Sequence, residues 1–173
     1  MKDKPLVSIL INNYNYARFL PGAIDSALKQ TYPHTEVIVV DDGSTDNSRE
    51  IIASYGDKII PLLKQNGGQV SAFNAGFAAS RGDIICFLDA DDLYFPEKVA
   101  EIVSALGDRE ELGWCFDRRK FVDVNLKEID PDNTIPKHSQ TGGISEHDLR
   151  EKTKKGKPGK NFPYSSTSGI SIR

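Results

Sequence analysis

The chain has 173 residues, of which 38% are hydrophobic and 27% charged, and its formal net charge is −3. This length is enough for one domain with a hydrophobic core, and the composition is that of an ordinary globular protein. A slightly acidic chain lacks the basic surface of nucleic-acid-binding domains, so we expect no nucleic-acid partner. The apolar run at 6–12 is too short to span a membrane. We therefore expect a cytoplasmic protein, with contact to the cytoplasmic membrane surface as a possibility.

Apolar runs and helical patterns alternate along the first 107 residues. After the first run and a polar turn, Pro21 is suited to the first turn of a helix. Asn47 and Glu50 are typical of a capping box at the start of a second helix. Pro61 predicts an edge strand, because proline cannot donate to a neighbouring strand. The predicted strands are 6–12, 37–40, 59–63 and 84–88; the third helix is expected at about 69–80, and Pro96 opens the fourth.

This alternation predicts an α/β fold with a Rossmann-like, mostly parallel sheet and helices on both faces. Two of the apolar runs, 37–40 and 84–88, contain no polar residue, as expected of strands buried on both sides. Further strands are expected within 113–124 and at 168–172.

The chain changes character towards its C-terminus. We predict an α/β domain at 1–124 and a second region at 125–173, with a polar loop at about 130–163. Residues 150–160 (REKTKKGKPGK) carry six Lys or Arg and one Glu. We interpret this stretch as a solvated loop, with attraction to phosphate or an anionic membrane as the alternative.

Polar clusters follow three of the predicted strands: Asn12 to Asn15, Asp41-Asp42-Gly43, and Asp89 to Asp92. Ligands bind beyond the carboxyl ends of the strands in open parallel sheets. Such residues also favour turns for local reasons, but three clusters at one edge favour a functional site. Carboxylates at Asp89 and Asp91 can converge on a hard cation such as Mg²⁺ or Mn²⁺. That cation would relieve their repulsion and neutralise a departing diphosphate.

Asn74 adjoins an apolar stripe formed by Val70, Phe73 and Phe77. A hydrogen-bonded core asparagine and a ligand contact are equally consistent with this position. The sequence has no G-x-G-x-x-G after the first strand and no P-loop motif, which disfavours nicotinamide dinucleotides and P-loop triphosphate chemistry.

Four blocks of the sequence together resemble glycosyltransferase family 2. They are VSILINNYNYARFL, TYPHTEVIVVDDGSTDNS, NGGQVSAFNAGFAASRGDII and FLDADD, in that order over residues 6–107. The resemblance implies a GT-A fold and transfer of a sugar, with inversion, from a nucleotide diphosphate donor. It also implies a UDP-sugar as the usual donor, assistance by Mg²⁺ or Mn²⁺, and a role in polysaccharide or envelope glycan synthesis.

The resemblance carries roles to matching positions. Asn12, Asn13 and Tyr14 are expected at the nucleobase, and Asp42 to hydrogen-bond it. Asp91 matches the metal-binding end of the D-x-D motif, and Asp89 is expected to approach the ribose or the water shell of the metal. Asp41 either orients the turn or faces the ribose. The predicted substrate-binding residues are Asn12, Asn13, Tyr14, Asn15, Asp41, Asp42, Gly68, Asn74, Asp89, Ala90 and Asp91, and the predicted metal ligands are Asp91 and Asp89.

In this family the general base lies in the acceptor-binding half, and we expect it beyond Arg173. We therefore interpret the chain as a truncated, donor-binding part that transfers sugar poorly or not at all by itself. The acceptor is not encoded in any motif, and a glycan, a lipid carrier or a protein remains open.

Three alternatives stay open on the sequence alone. One is a degenerate transferase domain without catalysis. Another is a receiver-type domain with Asp89 as the phospho-acceptor, although a β-α unit precedes the acidic pair here. A phosphohydrolase using the D-x-D pair is the third.

Overall fold

The structure, a computed structural model, describes residues 4–107, 113–116, 120–123, 125–128 and 170–172. The elements in chain order are β1 (Val7–Asn13), α1 (Leu20–Leu28), β2 (Thr35–Asp41), α2 (Ser48–Ser54), β3 (Ile60–Leu63), α3 (Gln69–Ala79), β4 (Ile84–Asp89), α4 (Lys98–Gly107), β5 (Trp114–Phe116) and β6 (Ile170–Ile172). A short 3₁₀ turn at Gly56–Lys58 precedes β3. The predicted strands and helices are confirmed in type and order.

The sheet has six strands in the order β3-β2-β1-β4-β6-β5. Strands β1 to β4 are mutually parallel, and β6 runs antiparallel to both β4 and β5. Pro61 lies in β3 at one edge, as predicted. The α/β class and the mostly parallel sheet are therefore confirmed.

Two compact units make up the chain, residues 1–117 with 167–173, and residues 118–166. All ten elements belong to the first unit. In the second, Val122 forms an antiparallel bridge with Glu128, whose carboxylate pairs with Lys120 at 3.2 Å. The predicted boundary after residue 124 stays a prediction, and the basic stretch at 150–160 lies outside the described residues. No helix in the described part of the chain combines the length and apolarity needed to cross a membrane.

Alternating side chains of the parallel strands divide the core between the two faces of the sheet. Ile9 and Ile11 of β1 pack with residues of α1, α2 and α4 on one face. Leu10, between them, packs with Val40 and with Ala72 of α3 on the other. Three helices thus cover one face and α3 covers the other.

The buried side of α3 differs from the predicted apolar stripe. Val70 is 73% and Phe77 59% exposed, whereas Ala72 and Gly76 are buried. A Cβ atom on Gly76 would lie 3.1 Å from Cγ2 of Val40, so small side chains let the helix approach the sheet closely.

Asn74 is exposed on this helix, which excludes the core asparagine from the two alternatives given for it.

Helix α2 begins after Asn47 as predicted, but the predicted capping box is wrong. The Asn47 side chain makes no capping hydrogen bond. Asp46 replaces it: one carboxylate oxygen accepts from Ser48 N at 3.0 Å, and the other accepts from Ala17 N at 2.9 Å. Asp46 therefore ties the start of α2 to the loop after β1.

Glu36 anchors a buried polar cluster near the amino ends of the strands. Its carboxylate accepts from Ser8 Oγ at 2.6 Å, from Arg81 N at 2.7 Å, and from Arg81 Nη2 at 2.8 Å. Burial alone raises the pKa of this carboxyl, but the hydrogen bonds from Ser8 and Arg81 and the charge of Arg81 outweigh it, so the pKa is below its usual value.

Replacing Glu36 with glutamine is expected to lower the free energy of unfolding by about 2 kcal/mol at neutral pH, because charged hydrogen bonds to Ser8 and Arg81 are lost. A depressed pKa in the folded state means that this stabilisation is lost as the pH falls through it. The difference between the wild type and Glu36→Gln should therefore shrink in acid. Urea denaturation at neutral and acidic pH measures it. Glu128→Gln, whose pair is exposed, is the control and should change little.

Candidate functional site

Three polar side chains converge at the carboxyl ends of the central strands. Asn12 pairs in register with Val40 on one side and Asp89 on the other. Side chains two residues apart share a face of the sheet. Asn12, Asp42 and Asp89 each follow by two residues a side chain that packs with the α3-side core, at Leu10, Val40 and Phe87. They therefore project towards the face that α3 covers.

A cavity of about 580 Å³ opens at this edge of the sheet. Its lining residues are Asn12, Asn13, Tyr14, Tyr16, Asp42, Asn66, Gly68, Gln69, Ala72, Asp89, Ala90 and Asp91. Most of the residues predicted for the substrate site thus lie around one space. Sequence reasoning missed four: Tyr16, Asn66, Gln69 and Ala72. Gln69 and Ala72 are three residues apart at the start of α3 and so lie on the same side of the helix. That spacing could have identified them together from the sequence.

A second cavity, of about 420 Å³, is lined by Gly43, Ser44, Arg49, Leu63, Lys64, Gln65 and Asn66. It contains none of the predicted site residues. The chemistry that the sequence indicates therefore belongs to the first cavity.

Three predicted residues, Asn15, Asp41 and Asn74, do not line the first cavity. Asn15 accepts through Oδ1 from Thr45 N at 2.7 Å and so joins the loops after β1 and β2. Asn74 lies on the exposed side of α3.

Asp41 is fully buried, which favours the turn-orienting role among the two expected for it. Its carboxylate accepts from Asn13 Nδ2 at 2.9 Å, Ser44 N at 3.1 Å and Arg49 Nε at 2.8 Å. Burial alone raises its pKa, but hydrogen bonds from Ser44, Arg49 and Asn13 lower the pKa overall. An ionised Asp41 thus fixes the turn that positions Asp42.

Asp42 holds the loop at the cavity mouth. Its carboxylate is ion-paired with Lys64 and accepts from Gly67 N at 3.0 Å and Gly68 N at 2.8 Å. Although burial raises the pKa of Asp42, the bonds from Lys64, Gly67 and Gly68 hold it below its usual value. The group is therefore an anion that accepts hydrogen bonds and does not donate them.

Asp89 and Asp91 flank the buried Ala90 where β4 ends. The loss of water around the Asp91 carboxyl, followed by repulsion from Asp92, raises its pKa. No three His, Cys, Asp or Glu side chains come together as a metal-binding group among the described residues. Two carboxylates still suit Mg²⁺ or Mn²⁺, because these ions keep water and substrate phosphates among their ligands. The donor set therefore fits the predicted cation.

Comparison with known proteins agrees with these features. The family model described as Glycosyl transferase family 2 matches residues 8–171. An uncharacterized glycosyltransferase of Nostoc sp. (strain PCC 7120) is 46% identical over 132 residues, 74% of this chain and 41% of the relative. TuaG of Bacillus subtilis, named as a teichuronic acid biosynthesis glycosyltransferase, is 34% identical over 61% of this chain and 44% of its own length. The chain thus spans about two fifths of these relatives.

Solved structures with similar folds include the following two. Staphylococcus aureus TarS 1–349, in complex with UDP-GlcNAc, has a TM-score of 0.55 and 27% identity over 61% of this chain and 32% of TarS. The mannosyltransferase PcManGT of Pyrobaculum calidifontis, in complex with GDP-Man and Mn²⁺, has a TM-score of 0.59 and 27% identity over 68% of this chain and 37% of its own. The fold is therefore GT-A, and by sequence and architecture the chain is a member of glycosyl transferase family 2.

Proposed function

We propose that this chain is the donor-binding part of a metal-dependent, inverting glycosyltransferase that uses a nucleotide diphosphate sugar, with UDP as the preferred nucleotide. One observation carries the proposal: Asp42, Asp89 and Asp91, from two different strand ends, line a single cavity. The likeness to TarS and PcManGT supports it, since those proteins were solved with UDP-GlcNAc and with GDP-Man and Mn²⁺.

The nucleobase is proposed to lie towards Asp42 and the loop that it holds. Tyr14 and Tyr16 line this cavity and are 47% and 43% exposed, and aromatic side chains that remain accessible suit stacking on a base. An ionised Asp42 favours a base edge that presents an N–H, as uracil and guanine do. Gly68 lines the cavity without a side chain and leaves room for the ligand.

The diphosphate is proposed to lie towards Asp89 and Asp91, which would hold Mg²⁺ or Mn²⁺. When bound, the cation would stabilise negative charge on the leaving diphosphate. Asp91 would remain ionised beside it, because a neighbouring cation offsets both desolvation and the repulsion from Asp92. Asp89 would orient the ribose or the waters of the cation.

Inversion by direct displacement needs a general base that takes the proton of the acceptor hydroxyl. The similarity to TuaG, which is named for teichuronic acid biosynthesis, supports synthesis of a cell-envelope polymer.

Isothermal titration calorimetry of the 173-residue chain with UDP and GDP, each with and without Mn²⁺, tests the proposal. We expect UDP to bind at least about tenfold more tightly with Mn²⁺, since a cation between two carboxylates and a diphosphate adds several favourable contacts. Asn47→Ala, at an exposed position outside the lining of both cavities, should bind like the wild type. Binding of neither nucleotide would contradict the proposal. Binding without any response to Mn²⁺ would favour a degenerate domain.

A further inference from the structure

The carboxylate of Asp42 is already occupied by donors from the protein itself. Its Oδ1 accepts from Nζ of Lys64 and from Gly67 N at 3.0 Å. Its Oδ2 accepts from Gly67 N at 3.2 Å and from Gly68 N at 2.8 Å. A carboxylate offers about four accepting positions, and these contacts fill them. Asp42 is also only 4% exposed. A nucleobase that donates an N–H to Asp42 must therefore displace one of the donors that it holds.

The start of the loop that carries these donors is anchored by contacts other than those with the Asp42 carboxylate. The backbone nitrogen of Lys64 donates to Asp41 O at 3.0 Å. The backbone of Asn66 packs against Gly43, where an added Cβ would lie 2.6 Å from Asn66 N. The loop can therefore keep its position at this end when a donor leaves the Asp42 carboxylate.

The groups that bond to Asp42 are able to move. Gly68 has a φ of +82°, and no atom lies within 4 Å of a Cβ added to it. Glycine adopts many backbone conformations at little steric cost, and Gly67 precedes it directly. The side chain of Lys64 is 24% exposed, whereas that of Asp42 is 5% exposed, so the lysine can turn into solvent without opening the core. The donors can thus leave Asp42 through rotations within the loop.

We propose that Lys64, Gly67 and Gly68 form an autoinhibitory latch, which competes with the donor nucleobase for Asp42 and opens when the nucleotide binds. This inference rests on the proposed function, which puts the nucleobase towards Asp42. Lys64 is the positioning residue of the latch, because a hydrogen bond between two charged groups is stronger than one from a neutral amide. The closed latch satisfies a buried carboxylate. It also lowers the apparent affinity for nucleotide, since only molecules with an open latch are competent to bind.

Replacing Lys64 with methionine tests the latch, because the change removes the ammonium group and keeps a side chain of similar length. The melting temperature of the nucleotide-free variant should fall by about 5 °C, since Asp42 loses a charged hydrogen bond. UDP should nevertheless bind about tenfold more tightly in Mn²⁺, because the latch competes less with the base. A lysine with a purely structural role would lower both quantities when it is replaced. Lys64→Arg restores the charge and should return both towards the wild-type values.

Amide hydrogen exchange, followed by NMR without nucleotide, reports on the latch directly. The amides of Gly67 and Gly68 should exchange about tenfold faster in Lys64→Met, because the loop leaves Asp42 more often. Lys58→Met makes the same change of charge at an exposed position outside the lining of both cavities, and it should alter neither exchange, melting temperature nor affinity. Lys64→Gln is a milder change that should act in the same directions and replaces Lys64→Met if that variant does not fold.

The outcomes separate the latch from the proposed function. If the wild type binds UDP, and removing the charge of Lys64 leaves UDP affinity unchanged or weakens it, the latch is overturned and the proposed function stands. Unchanged exchange of the Gly67 and Gly68 amides would also overturn the latch. If the wild type binds neither UDP nor GDP, the proposed function fails and the inference fails with it.

Discussion

Replacing Asp91 with asparagine is expected to abolish the Mn²⁺ response of nucleotide binding and, at the same time, to raise the melting temperature of the metal-free protein. Desolvation and the nearby charge of Asp92 raise the pKa of Asp91 in the folded state. Ionisation of Asp91 therefore disfavours folding when no cation is bound. Asparagine removes this cost, but it also removes a carboxylate that would bind the cation. The melting temperature should therefore rise while the Mn²⁺-dependent affinity for nucleotide falls.

The sign of the pH dependence follows from the raised pKa. Below the pKa of an unfolded aspartate the carboxyl is protonated in both states, and Asp91→Asn should gain nothing. As the pH rises through the pKa of Asp91 in the folded state, ionisation of Asp91 destabilises the wild type fully. The stability of Asp91→Asn relative to the wild type then reaches its maximum. At neutral pH Asp91→Asn should lose the whole Mn²⁺ enhancement of UDP affinity, which is at least about tenfold.

Differential scanning calorimetry, with and without Mn²⁺ and UDP, measures both effects. Asp57→Asn makes the same change at an exposed carboxylate outside the cavity lining and should alter neither. If Asp91→Asn keeps the Mn²⁺ response, the assignment of Asp91 as a metal ligand is refuted. If the variant melts lower without metal, the proposed cost of ionising Asp91 in the folded state is refuted.

The sequence was sufficient to predict that the polar residues of the site lie close together, because the order of strands and helices along the chain determines which way each strand runs. Alternating β-α units put the carboxyl ends of β1, β2 and β4 at one edge, so the polar residues after each apolar run had to meet there. The sequence did not predict that Asp42 lines the cavity whereas Asp41 is buried outside it. Adjacent residues point to opposite faces of a sheet, and the sequence alone did not say which face carries the cavity.

The apolar stripe of α3 is not the face that the helix buries most deeply, and the reason is physical. Helical spacing selects the bulky residues Val70, Phe73 and Phe77, and apolarity alone favours burying them. Close packing of the helix on the sheet instead requires small side chains, and Ala72 and Gly76 meet that requirement. The Asn12 amide, which has no hydrogen-bond partner among the described residues, likewise becomes visible only when its neighbours on β2 and β4 are known.

Replacing Gly43 with alanine is expected to cost about 3 kcal/mol of stability, the sum of backbone strain and a steric clash. Gly43 has a φ of +83°, which side-chain-bearing residues rarely adopt. An added Cβ would lie 2.6 Å from the backbone nitrogen of Asn66, so the loop that carries Asn66 would have to move. Asp42 holds this loop through Gly67 N and Gly68 N. The substitution therefore strains the turn after β2 and the loop together.

Gly56 provides the matched control, because it has a φ of +58° but no atom within 4 Å of an added Cβ. Gly56→Ala should cost only about 1 kcal/mol, from backbone strain. Urea denaturation compares the two free energies of unfolding. UDP affinity should fall in Gly43→Ala alone, because Asn66 and Gly68 line the cavity. Equal losses of stability with unchanged UDP affinity would mean that the contact of Gly43 with the loop does not shape the site.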